Sequence, residues 1–264
     1  MVIVITGSTR GIGFGLADAF LARHCNIVIN GRTEEAVSRA LDQLSRRHGN
    51  DKLLGVVGDV AVYNQVQSLW DKSVDRFGEV DIWINNAGVT GPREEILQQL
   101  PNDIEQVLET NLQGTIFGSQ IALSGMLNQG HGAIYNMEGA GSDGRRMIPG
   151  MAIYGTSKRG VRYFNEALIE ETHGKPIVIG IISPGMVLTD LLTDQEFEHP
   201  EDWEKTKRVY NILADRVETV APWLADKILA NKESGMTIRW LTRGKVIWRF
   251  LKAPFSKRDI FTSS

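Results

Sequence analysis

Short runs of β-branched residues alternate with helical patterns along this chain, and the alternation limits the fold more than any other feature of the sequence. The apolar runs are Val2–Thr6, Ile27–Asn30, Leu53–Val57, Val80–Ile84, Ala133–Asn136, Ile177–Ile182 and Thr237–Leu241. The helical patterns lie near residues 11–24, 33–48, 62–77, 101–127, 153–173, 202–213 and 218–231. Because several runs are continuously apolar, they are typical of strands buried on both faces. The pattern predicts an α/β fold with a doubly wound, seven-stranded parallel sheet and helices on both faces.

The chain is expected to form one domain, although its length alone permits one large domain or two small ones. It has 264 residues, and no linker rich in proline or serine, internal repeat or low-complexity tract divides it. A chain of this mass buries about 70% of its surface on folding, so it can build a sizeable core without disulfides. We therefore predict a single domain over residues 1–264.

Composition and charge argue against several classes of protein. The chain carries 29 basic and 32 acidic residues, a net charge of −3, which is unlike a strongly basic nucleic-acid binder, so we expect no nucleic-acid partner. Cys25 is the only cysteine and the five histidines have no ligand spacing, so we predict no metal site. No basic segment precedes the first apolar run, and no run approaches the ~20 residues of a membrane span. We therefore expect a cytoplasmic protein.

A glycine-rich segment joins the first apolar run to the first helical pattern: Thr6-Gly-Ser-Thr-Arg-Gly-Ile-Gly13. Its three glycines permit a tight turn, close approach of the backbone to a pyrophosphate, and close packing of helix on strand. The helix that follows presents free N–H groups and a partial positive charge to phosphates. An ordinary glycine-rich turn is the alternative, but the position at the first strand–helix junction favours a dinucleotide-binding Rossmann domain. The predicted cofactor contacts in this loop are Gly7, Ser8, Thr9, Arg10, Gly11, Ile12 and Gly13.

The residues after the second apolar run indicate which dinucleotide is bound. A cofactor without a 2′-phosphate usually meets an acidic residue there, about 20 residues past the loop. This sequence has Asn30-Gly31-Arg32 instead, and Arg10 in the loop can approach the same pocket. Guanidinium groups offer fixed, charge-assisted donors that suit a phosphate. We predict that NADP(H) is preferred over NAD(H); the alternative is that both arginines are simply solvated.

A tyrosine and a lysine spaced for one helix face supply a candidate acid–base pair. Tyr154-Gly-Thr-Ser-Lys158 lies at the start of a helical pattern, which places the two side chains one turn apart. An ammonium beside a phenol lowers the phenol pKa from its usual value of ~10. Tyr154 is then a general acid for carbonyl reduction, or a base in the reverse direction. Because this spacing is common in helices, a surface pair is the alternative, and the choice depends on the other motifs.

Several segments in the same order resemble the short-chain dehydrogenase/reductase family over residues 2 to about 190. Besides the glycine loop and the Tyr154/Lys158 pair, they are Asp59-Val60, Asn85-Asn-Ala-Gly88, Asn111 and Pro184-Gly-Met-Val-Leu-Thr189. The resemblance implies that Lys158 also binds the nicotinamide ribose, and that Asn111 is catalytic through a water that relays protons to Lys158. The further cofactor contacts that it implies are Asp59, Val60, Asn86, Ala87, Gly88, Tyr154, Pro184, Gly185, Val187 and Thr189.

The segment after the fifth apolar run departs from the family pattern. The family usually places a catalytic serine directly after this strand, whereas here the strand ends Asn136-Met-Glu-Gly-Ala-Gly-Ser142. Gly139 stands at the usual serine position, and Ser142 lies 12 residues before Tyr154. We predict that Ser142 is the catalytic hydroxyl that contacts the substrate oxygen. The alternative is that Ser142 is a turn residue and that a backbone N–H of residues 139–141 polarises the carbonyl.

This departure also indicates a subgroup. Residues 136–142, 152–158, 183–190 and 216–221 look like the corresponding stretches of chlorophyll(ide) b reductases. The resemblance implies a reductase that uses NADPH to convert the 7-formyl group of the pigment to hydroxymethyl. One alternative is another carbonyl substrate, such as a steroid, a lipid or a small ketone. A second is a catalytically idle NADP(H)-binding sensor or partner subunit, against which the intact Asn111, Tyr154 and Lys158 argue.

Two segments outside these motifs are expected to lie on the substrate side or at a surface. Residues 190–215 are expected to close over the substrate as a lid that excludes water. Unless they pack as ordinary core, the apolar side chains of the lining would be Met186, Leu188, Leu191, Leu192 and Trp203. Residues 242–264 mix basic and aromatic side chains, which fits weak peripheral membrane contact, docking on a neighbouring subunit or a solvated edge. We also expect a homodimer or a homotetramer.

Overall fold

The seven apolar runs of the sequence form the seven strands of one parallel sheet. The structure is a computed structural model and describes residues 1–144, 147–193, 200–255 and 258–261. The strands of the sheet are β1 (Val2–Ile5), β2 (Asn26–Gly31), β3 (Leu53–Val57), β4 (Ile82–Asn85), β5 (Gly132–Met137), β6 (Ile177–Ser183) and β7 (Thr237–Arg239). The helices are α1 (Gly11–Leu21), α2 (Glu34–His48), α3 (Tyr63–Phe77), α4 (Pro101–Leu108), α5 (Gly114–Gln129), α6 (Ala152–Glu171), α7 (Asp190–Thr193), α8 (Pro200–Leu213), α9 (Val217–Ala230) and α10 (Arg243–Lys252).

The strand order reverses near the middle of the sheet. The order is β3-β2-β1-β4-β5-β6-β7, and all neighbouring strands are parallel. Val4 of β1 pairs with Val28 on one side and with Trp83 on the other, which marks the reversal. In open α/β sheets, ligands bind beyond the carboxyl ends of the strands beside such a reversal. The predicted doubly wound, seven-stranded parallel sheet is therefore confirmed, and it indicates where a site should lie.

Both faces of the sheet are buried, as the continuous apolar runs predict. Ile3 and Ile5 of β1 pack in one core together with Leu16 of α1. Val4, which lies between them in the strand, packs in a second core on the opposite face with Trp83. Successive side chains of a strand alternate between faces, so a strand covered on both sides has no polar face. The two cores fix the carboxyl ends of the strands, and the loops that follow the strands start from these fixed positions.

The structure divides the helix that the sequence predicts over residues 101–127. Helix α4 ends at Leu108, and one π-helical turn, Glu109–Gln113, leads into α5. Asn111 lies in this turn, where its Oδ1 accepts from the Val89 N–H and its Nδ2 donates to the Val89 carbonyl oxygen, both at 2.8 Å. Single π turns are frequent at functional sites. The apolar pattern does not reveal the turn because one wider turn barely changes the helical period.

Two small elements are also absent from the sequence pattern. Residues Val187–Leu188 pair with Asp215–Arg216 in a short parallel ladder. Helix α10 begins after Thr242, whose Oγ1 accepts from the Lys245 N–H at 3.3 Å. Within the predicted lid and the predicted C-terminal segment, residues 194–199, 256, 257 and 262–264 lie outside the described residues. Among the helices that are described, none combines the length and the apolar character needed to cross a bilayer.

Candidate active site

The glycine-rich loop lies at the carboxyl end of β1, beside the reversal of strand order. Gly7 and Gly11 both have a φ of +59°, a conformation that favours glycine. A Cβ built on Gly7 would lie 2.7 Å from the Cα of Ala87, and one built on Gly13 would lie 2.8 Å from the Cα of Ser8. The N-cap residue Arg10 makes no side-chain hydrogen bond to the first turn of α1. The N–H groups of its first turn are therefore available to the phosphates of a dinucleotide.

Hydrogen bonds fix this loop to the strands on both sides. Asn30, buried at the end of β2, accepts from the Gly7 N–H at 3.2 Å and donates to the Gly58 carbonyl oxygen at 2.9 Å. On the other side, the Oγ1 of Thr6 accepts from the Asn86 N–H at 3.0 Å. The Nδ2 of Asn86 donates to the carbonyl oxygens of Thr6 and Gly7, both at 2.9 Å. The predicted segment 86–88 thus borders the loop.

The two arginines predicted to bind a 2′-phosphate start from adjacent backbone positions. A Cβ built on Gly31 would lie 2.5 Å from the Cγ2 of Thr9, so the end of β2 touches the loop. These two residues directly precede Arg32 and Arg10, and both arginines are exposed. The Nη1 of Arg10 lies 3.2 Å from the Oδ2 of Asp190, which is also exposed. Arg10 thus pairs with a carboxylate in this structure, and the binding of a 2′-phosphate by the two arginines stays a prediction.

The cofactor contacts that the family resemblance implies after β3 and after β6 lie at the same edge of the sheet. Asp59 follows β3, and its Oδ1 accepts from the Ala61 N–H at 2.9 Å. Its neighbour Val60 is buried. At the other side of the site, a Cβ built on Gly11 would lie 3.4 Å from the Cγ2 of Thr189. Asn30, which bonds to both Gly7 and Gly58, joins the segment after β3 to the glycine loop, and the close approach of Gly11 to Thr189 places the segment after β6 beside it.

Three further predicted residues in this segment have structural contacts of their own. Gly185 has a φ of +76°, and a Cβ built on it would lie 2.5 Å from the Cβ of Leu241, so a larger residue would not fit. It follows Pro184 at the end of β6. Val187 is buried and belongs to the short two-stranded ladder. Pro184, Gly185 and Val187 therefore shape this loop, and their contact with a cofactor stays a prediction.

Tyr154, Lys158 and Asn111 come together near the carboxyl ends of β4 and β5. Tyr154 and Lys158 are buried on α6, with the Lys158 Nζ 6.0 Å from the centre of the Tyr154 ring. A Cβ built on Gly88 would lie 3.2 Å from the Asn111 Oδ1 and 3.5 Å from the Lys158 Nζ. The ammonium donates to the Met137 carbonyl oxygen at 3.3 Å. An ammonium has three protons, so further donors remain for a ribose hydroxyl or a water.

Burial sets the protonation of the pair in opposite ways. It raises the pKa of the Tyr154 phenol to about 12, because the phenolate would lose its solvation. The lowering of this pKa that the sequence predicts from the neighbouring ammonium is therefore wrong for this structure, in which the effect of burial is the larger one. Burial lowers the pKa of the Lys158 ammonium to about 8, and the negative charge of Glu138 opposes this change. Tyr154 therefore holds its proton at neutral pH, the state required of a general acid. Lys158 is mostly charged at neutral pH, yet it would lose its proton under mildly alkaline conditions.

The turn after β5 explains why a serine does not fit at position 139. A Cβ built on Gly139 would clash with the Tyr154 hydroxyl and would lie 3.0 Å from its Cζ. Ser142 is buried, and its hydroxyl donates to the Gly139 carbonyl oxygen at 2.7 Å. Arg159 donates to the Ser142 carbonyl oxygen at 3.1 Å. To contact a substrate oxygen the Ser142 hydroxyl must leave the Gly139 carbonyl, so its catalytic role stays a prediction.

Most of the described apolar side chains near the predicted lid pack as ordinary core. Met186, Leu188 and Trp203 belong to a third cluster, formed around Tyr210, Ala214 and Ile260. Leu191 is exposed on α7, whereas the side chain of Leu192 lies outside the described residues. The described structure thus supports core packing for three of the five residues.

Glu138 is the residue near this site that the sequence argument passed over. It follows β5 directly. The residue before it, Met137, supplies the carbonyl oxygen that accepts from Lys158, and the residue after it, Gly139, lies close to the Tyr154 hydroxyl. Its side chain is only 2% exposed. A charged residue immediately after a buried strand was the available signal, because buried carboxylates are rare without a partner.

A group of potential metal ligands lies at the amino-terminal ends of β4 and β5, the opposite end of these strands from the candidate site. Glu79, Asp81 and His131 have ligand atoms within 4.8 Å of one another. The His131 Nε2 already lies 3.6 Å from the Glu79 Oε2 and 3.4 Å from the Asp81 Oδ1. His131 thus already lies against both carboxylates, and we propose no metal there.

Comparisons with known proteins agree with this geometry. The family model described as short chain dehydrogenase matches residues 1–199. The chloroplastic chlorophyll(ide) b reductase NOL of Oryza sativa subsp. japonica is 35% identical over 97% of this chain and 76% of that protein. The probable chlorophyll(ide) b reductase NYC1 of Arabidopsis thaliana is 33% identical over 93% of this chain, which spans 51% of that protein's length. The crystal structure of levodione reductase has a TM-score of 0.82 at 22% identity, covering 92% of this chain and 97% of that one.

The expectation of a cytoplasmic protein is contradicted by these relatives. Four chlorophyll(ide) b reductases among the relatives, two each from Arabidopsis thaliana and Oryza sativa subsp. japonica, are named as chloroplastic. The expectation rested on the lack of an apparent targeting segment in this sequence, which is an absence and does not identify a compartment.

The family expectation from the motifs is confirmed. The matched family model covers three quarters of the chain, and relatives at 33–37% identity extend over more than nine tenths of it. The sheet order and the superposition on a reductase of known structure give the same fold. The chain belongs to the short-chain dehydrogenase/reductase family, whose fold binds a nicotinamide cofactor, and it is an oxidoreductase that acts on CH–OH or C=O groups.

Proposed function

We propose that this protein is an NADPH-dependent carbonyl reductase that converts the 7-formyl group of chlorophyll(ide) b to hydroxymethyl. The observation that carries the proposed chemistry is the buried Tyr154–Lys158 pair, whose ammonium lies close to Gly88 in the segment that borders the glycine loop. The identity of 35% with the chlorophyll(ide) b reductase NOL over most of both chains supports the substrate. The chloroplastic names of that relative and of three others support a chloroplast as the compartment.

The chain's own side chains would supply the proton and the charge for this reaction. Bound NADPH supplies the hydride that the carbonyl carbon accepts. Tyr154 donates its proton to the developing alkoxide, since burial keeps the phenol protonated at neutral pH. Lys158 stabilises the resulting phenolate by its positive charge and holds the nicotinamide ribose. Asn111, which shares the Gly88 border with Lys158, anchors the water that returns a proton.

The preference for NADP(H) rests on the end of β2. Arg32 follows the strand directly, where a carboxylate would recognise the ribose 2′-hydroxyl of NAD(H). Gly31 and Thr9 touch, so Arg32 and Arg10 start from neighbouring positions. Two guanidinium groups offer bidentate hydrogen bonds that match a phosphate.

One observation favours a second candidate, an idle NADP(H)-binding sensor or partner subunit. The glycine at the family's serine position leaves the Ser142 hydroxyl bonded to the Gly139 carbonyl oxygen. Against an idle protein stand the buried Tyr154 and Lys158, because a buried ammonium is costly to retain without a use.

The test is reduction of chlorophyllide b by the purified protein with NADPH. We expect the 7-hydroxymethyl product, seen by absorbance and chromatography, in amounts equal to the NADPH consumed. NADH should support a much lower rate. NADPH binding without turnover of chlorophyllide b or any of a panel of bulky aldehydes and ketones would favour the idle protein. Turnover restricted to other carbonyls would contradict the pigment as substrate.

A membrane contact and an oligomeric state are also part of this proposal. Helix α10 and the turn after it expose the large apolar side chains Ile247, Trp248, Phe250, Leu251 and Phe255. A weak peripheral contact with a membrane would bring these side chains to the phase in which chlorophyll, an apolar pigment, is found. A homodimer or homotetramer stays our expectation for the assembly.

A further inference from the structure

Residues 258–261, which we call the strap, run along helix α8 of the predicted lid. The Ile260 N–H donates to the Asn211 side-chain oxygen at 3.0 Å, and the Ile260 carbonyl oxygen accepts from Arg216 at 3.3 Å. The side chain of Ile260 is buried and packs in the third apolar cluster with Tyr210. The strap is therefore bound to α8 through its backbone and through an apolar side chain.

The guanidinium of Arg258 binds the C-terminal end of α8. It donates to the Ala214 carbonyl oxygen at 2.6 Å and to the Ile212 carbonyl oxygen at 3.4 Å. Arg249 of α10 donates to the Leu213 carbonyl oxygen between them at 2.8 Å. The last carbonyl groups of a helix have no partner inside the helix and carry a partial negative charge, so a cation is favourable there. Two arginines that follow α8 in the chain thus cap this helix.

Phe261 packs on the aromatic side chains of α8. The centre of its ring lies 5.5 Å from that of Trp203, with the planes at 71°, and 6.4 Å from that of Tyr210. The Lys207 Nζ lies 5.8 Å from the centre of the same ring. Aromatic pairs at such separations stabilise a contact beyond the area that they bury. The strap thus contacts α8 from Trp203 to its last turn.

Helix α8 is joined in turn to the loop after β6. Met186 and Leu188 of that loop pack in the same cluster as the strap. The Asp215 N–H, just past α8, donates to the Met186 carbonyl oxygen at 3.0 Å. Leu188 is followed by Thr189, which lies beside Gly11 of the glycine loop. A continuous series of contacts therefore leads from the strap, through α8 and this loop, to the candidate active site.

We propose that Arg258 and Phe261 are positioning residues for the reductase reaction: the strap holds α8 in the place where it covers the substrate. The proposal rests on the proposed function, because it takes α8 as part of the lid over the carbonyl substrate. It assigns no contact of the strap with substrate, cofactor, Tyr154 or Lys158. The apparent substrate affinity falls with the fraction of molecules in which α8 is in place. Loss of the strap contacts should therefore weaken substrate binding and leave the chemical step unchanged.

The first test follows α8 without any substrate. Hydrogen exchange of peptides from residues 200–213 is measured by mass spectrometry, with NADPH present, for Arg258→Met, Phe261→Ser and the double variant. Exchange of α8 in the double variant should be about tenfold faster or more, because the helix loses a cap and two aromatic pairs. Arg208→Met, at an exposed arginine of α8 itself, and Tyr163→Ser, at an exposed aromatic on α6, are matched controls and should exchange as wild type does.

The second test separates substrate affinity from the chemical step. With chlorophyllide b and saturating NADPH, the double variant should raise KM by about threefold or more, while kcat and the NADPH dissociation constant stay within about twofold of wild type. Phe261→Tyr keeps the aromatic ring and should match wild type in both tests. General damage to the structure would instead lower kcat and cofactor affinity together.

The proposal is overturned if the folded double variant exchanges α8 at the wild-type rate or keeps the wild-type KM. It is also overturned if kcat or NADPH affinity falls as much as substrate affinity. If the double variant does not fold, the two single variants decide by the same criteria. If wild type does not reduce the pigment, the proposed substrate is contradicted, and the exchange measurement still decides whether the strap holds α8.

Discussion

At the scale of single residues, Tyr154 is the side chain on which proton transfer should depend. Tyr154→Phe removes the hydroxyl and keeps the ring in its buried place. We expect turnover to fall by a factor of about 10²–10⁴, the usual contribution of a general acid. NADPH affinity, measured by fluorescence titration, should stay close to wild type. A variant that retains more than about a hundredth of the wild-type rate would contradict the role of proton donor.

Ser142 offers a second test at this scale. If its hydroxyl polarises the carbonyl, Ser142→Ala should lower kcat by roughly 10²–10³ while cofactor affinity stays unchanged. That is the result we expect, measured by steady-state kinetics. A nearly normal enzyme would instead assign the contact to a backbone N–H of residues 139–141. Gly139→Val cannot separate these cases, because its side chain would clash with the Tyr154 hydroxyl under either one.

Arg32 tests the cofactor preference. Arg32→Ala should weaken NADPH binding by about 1.5–3 kcal/mol, the range for a hydrogen bond to a charged group. NADH binding should change little, because NADH lacks the 2′-phosphate. Dissociation constants for both cofactors, measured at one salt concentration, give the comparison. Equal losses of affinity for NADPH and NADH would contradict the assignment of Arg32. Arg39→Ala, on the exposed face of α2, is the control for a general loss of positive charge.

Sequence reasoning worked at this scale where a motif specifies a side chain and its neighbours along the chain. Tyr154 and Lys158 follow from the helical period, and Gly7 and Gly11 from the demands of a tight turn. It could not reveal that the Ser142 hydroxyl is bonded to the Gly139 carbonyl oxygen, since that contact depends on the path of an irregular turn. It also missed Glu138, whose partners Arg162 and Arg239 come from α6 and β7.

At the scale of elements, α10 is held to the body of the protein by one buried carboxylate. The Asp215 carboxylate accepts from Arg249 at 2.7 Å, from Arg258 at 2.7 Å and from the Trp240 indole at 2.6 Å. The side chain of Lys245 lies over the Trp240 ring at 3.2 Å. Three of the cations in the predicted C-terminal segment, Lys245, Arg249 and Arg258, therefore attach that segment to the rest of the protein. Sequence reasoning identified the basic and aromatic composition of the segment. It did not identify Asp215, which is 25 or more residues away along the chain and binds these side chains.

Asp215→Asn should loosen this attachment. Removing one partner of a buried ion pair leaves Arg249 without its counter-charge and typically costs about 3–5 kcal/mol. We expect a loss near the lower end of that range in urea unfolding, because the asparagine still accepts a hydrogen bond. Asp226→Asn is the control: Asp226 pairs with Arg23 at 2.7 Å on an exposed surface, and its loss should change stability little. Equal losses in the two variants would contradict the buried role of Asp215.

The pH dependence of the same contact has a definite sign. Burial by itself raises the pKa of Asp215, but hydrogen bonds from Trp240 and Arg249 and the charge of Arg249 outweigh it, so the pKa lies below the usual 3.8. A carboxyl with a depressed folded-state pKa contributes its stabilisation above its unfolded value of about 3.9. The contribution is lost as the pH falls through the folded value. The stability difference between wild type and Asp215→Asn should therefore shrink below about pH 4.

At the scale of the whole molecule, the charge and apolar surface are distributed unequally. The chain has a net charge of −3, yet residues 243–255 contain four basic residues and no acidic one. The same residues expose five large apolar side chains, with Phe255 90% exposed. Arg249 binds Asp215, which attaches α10 to the rest of the protein and leaves the apolar side chains of the helix exposed. This combination is typical of helices that lie on an anionic membrane surface.

The last prediction tests that surface with vesicles of defined composition. Wild type should sediment with phosphatidylglycerol vesicles, less with phosphatidylcholine vesicles, and less again at high salt. The double variant Ile247→Ser/Trp248→Ser should lose about tenfold or more in partitioning, because each large apolar side chain that enters the bilayer contributes up to ~1.5–3 kcal/mol. Tyr163→Ser, at an exposed aromatic on α6, is the matched control and should bind as wild type does. If the double variant instead binds vesicles normally but shifts from an oligomer to a monomer in sedimentation velocity, α10 docks on a second copy of the chain and the membrane contact is wrong.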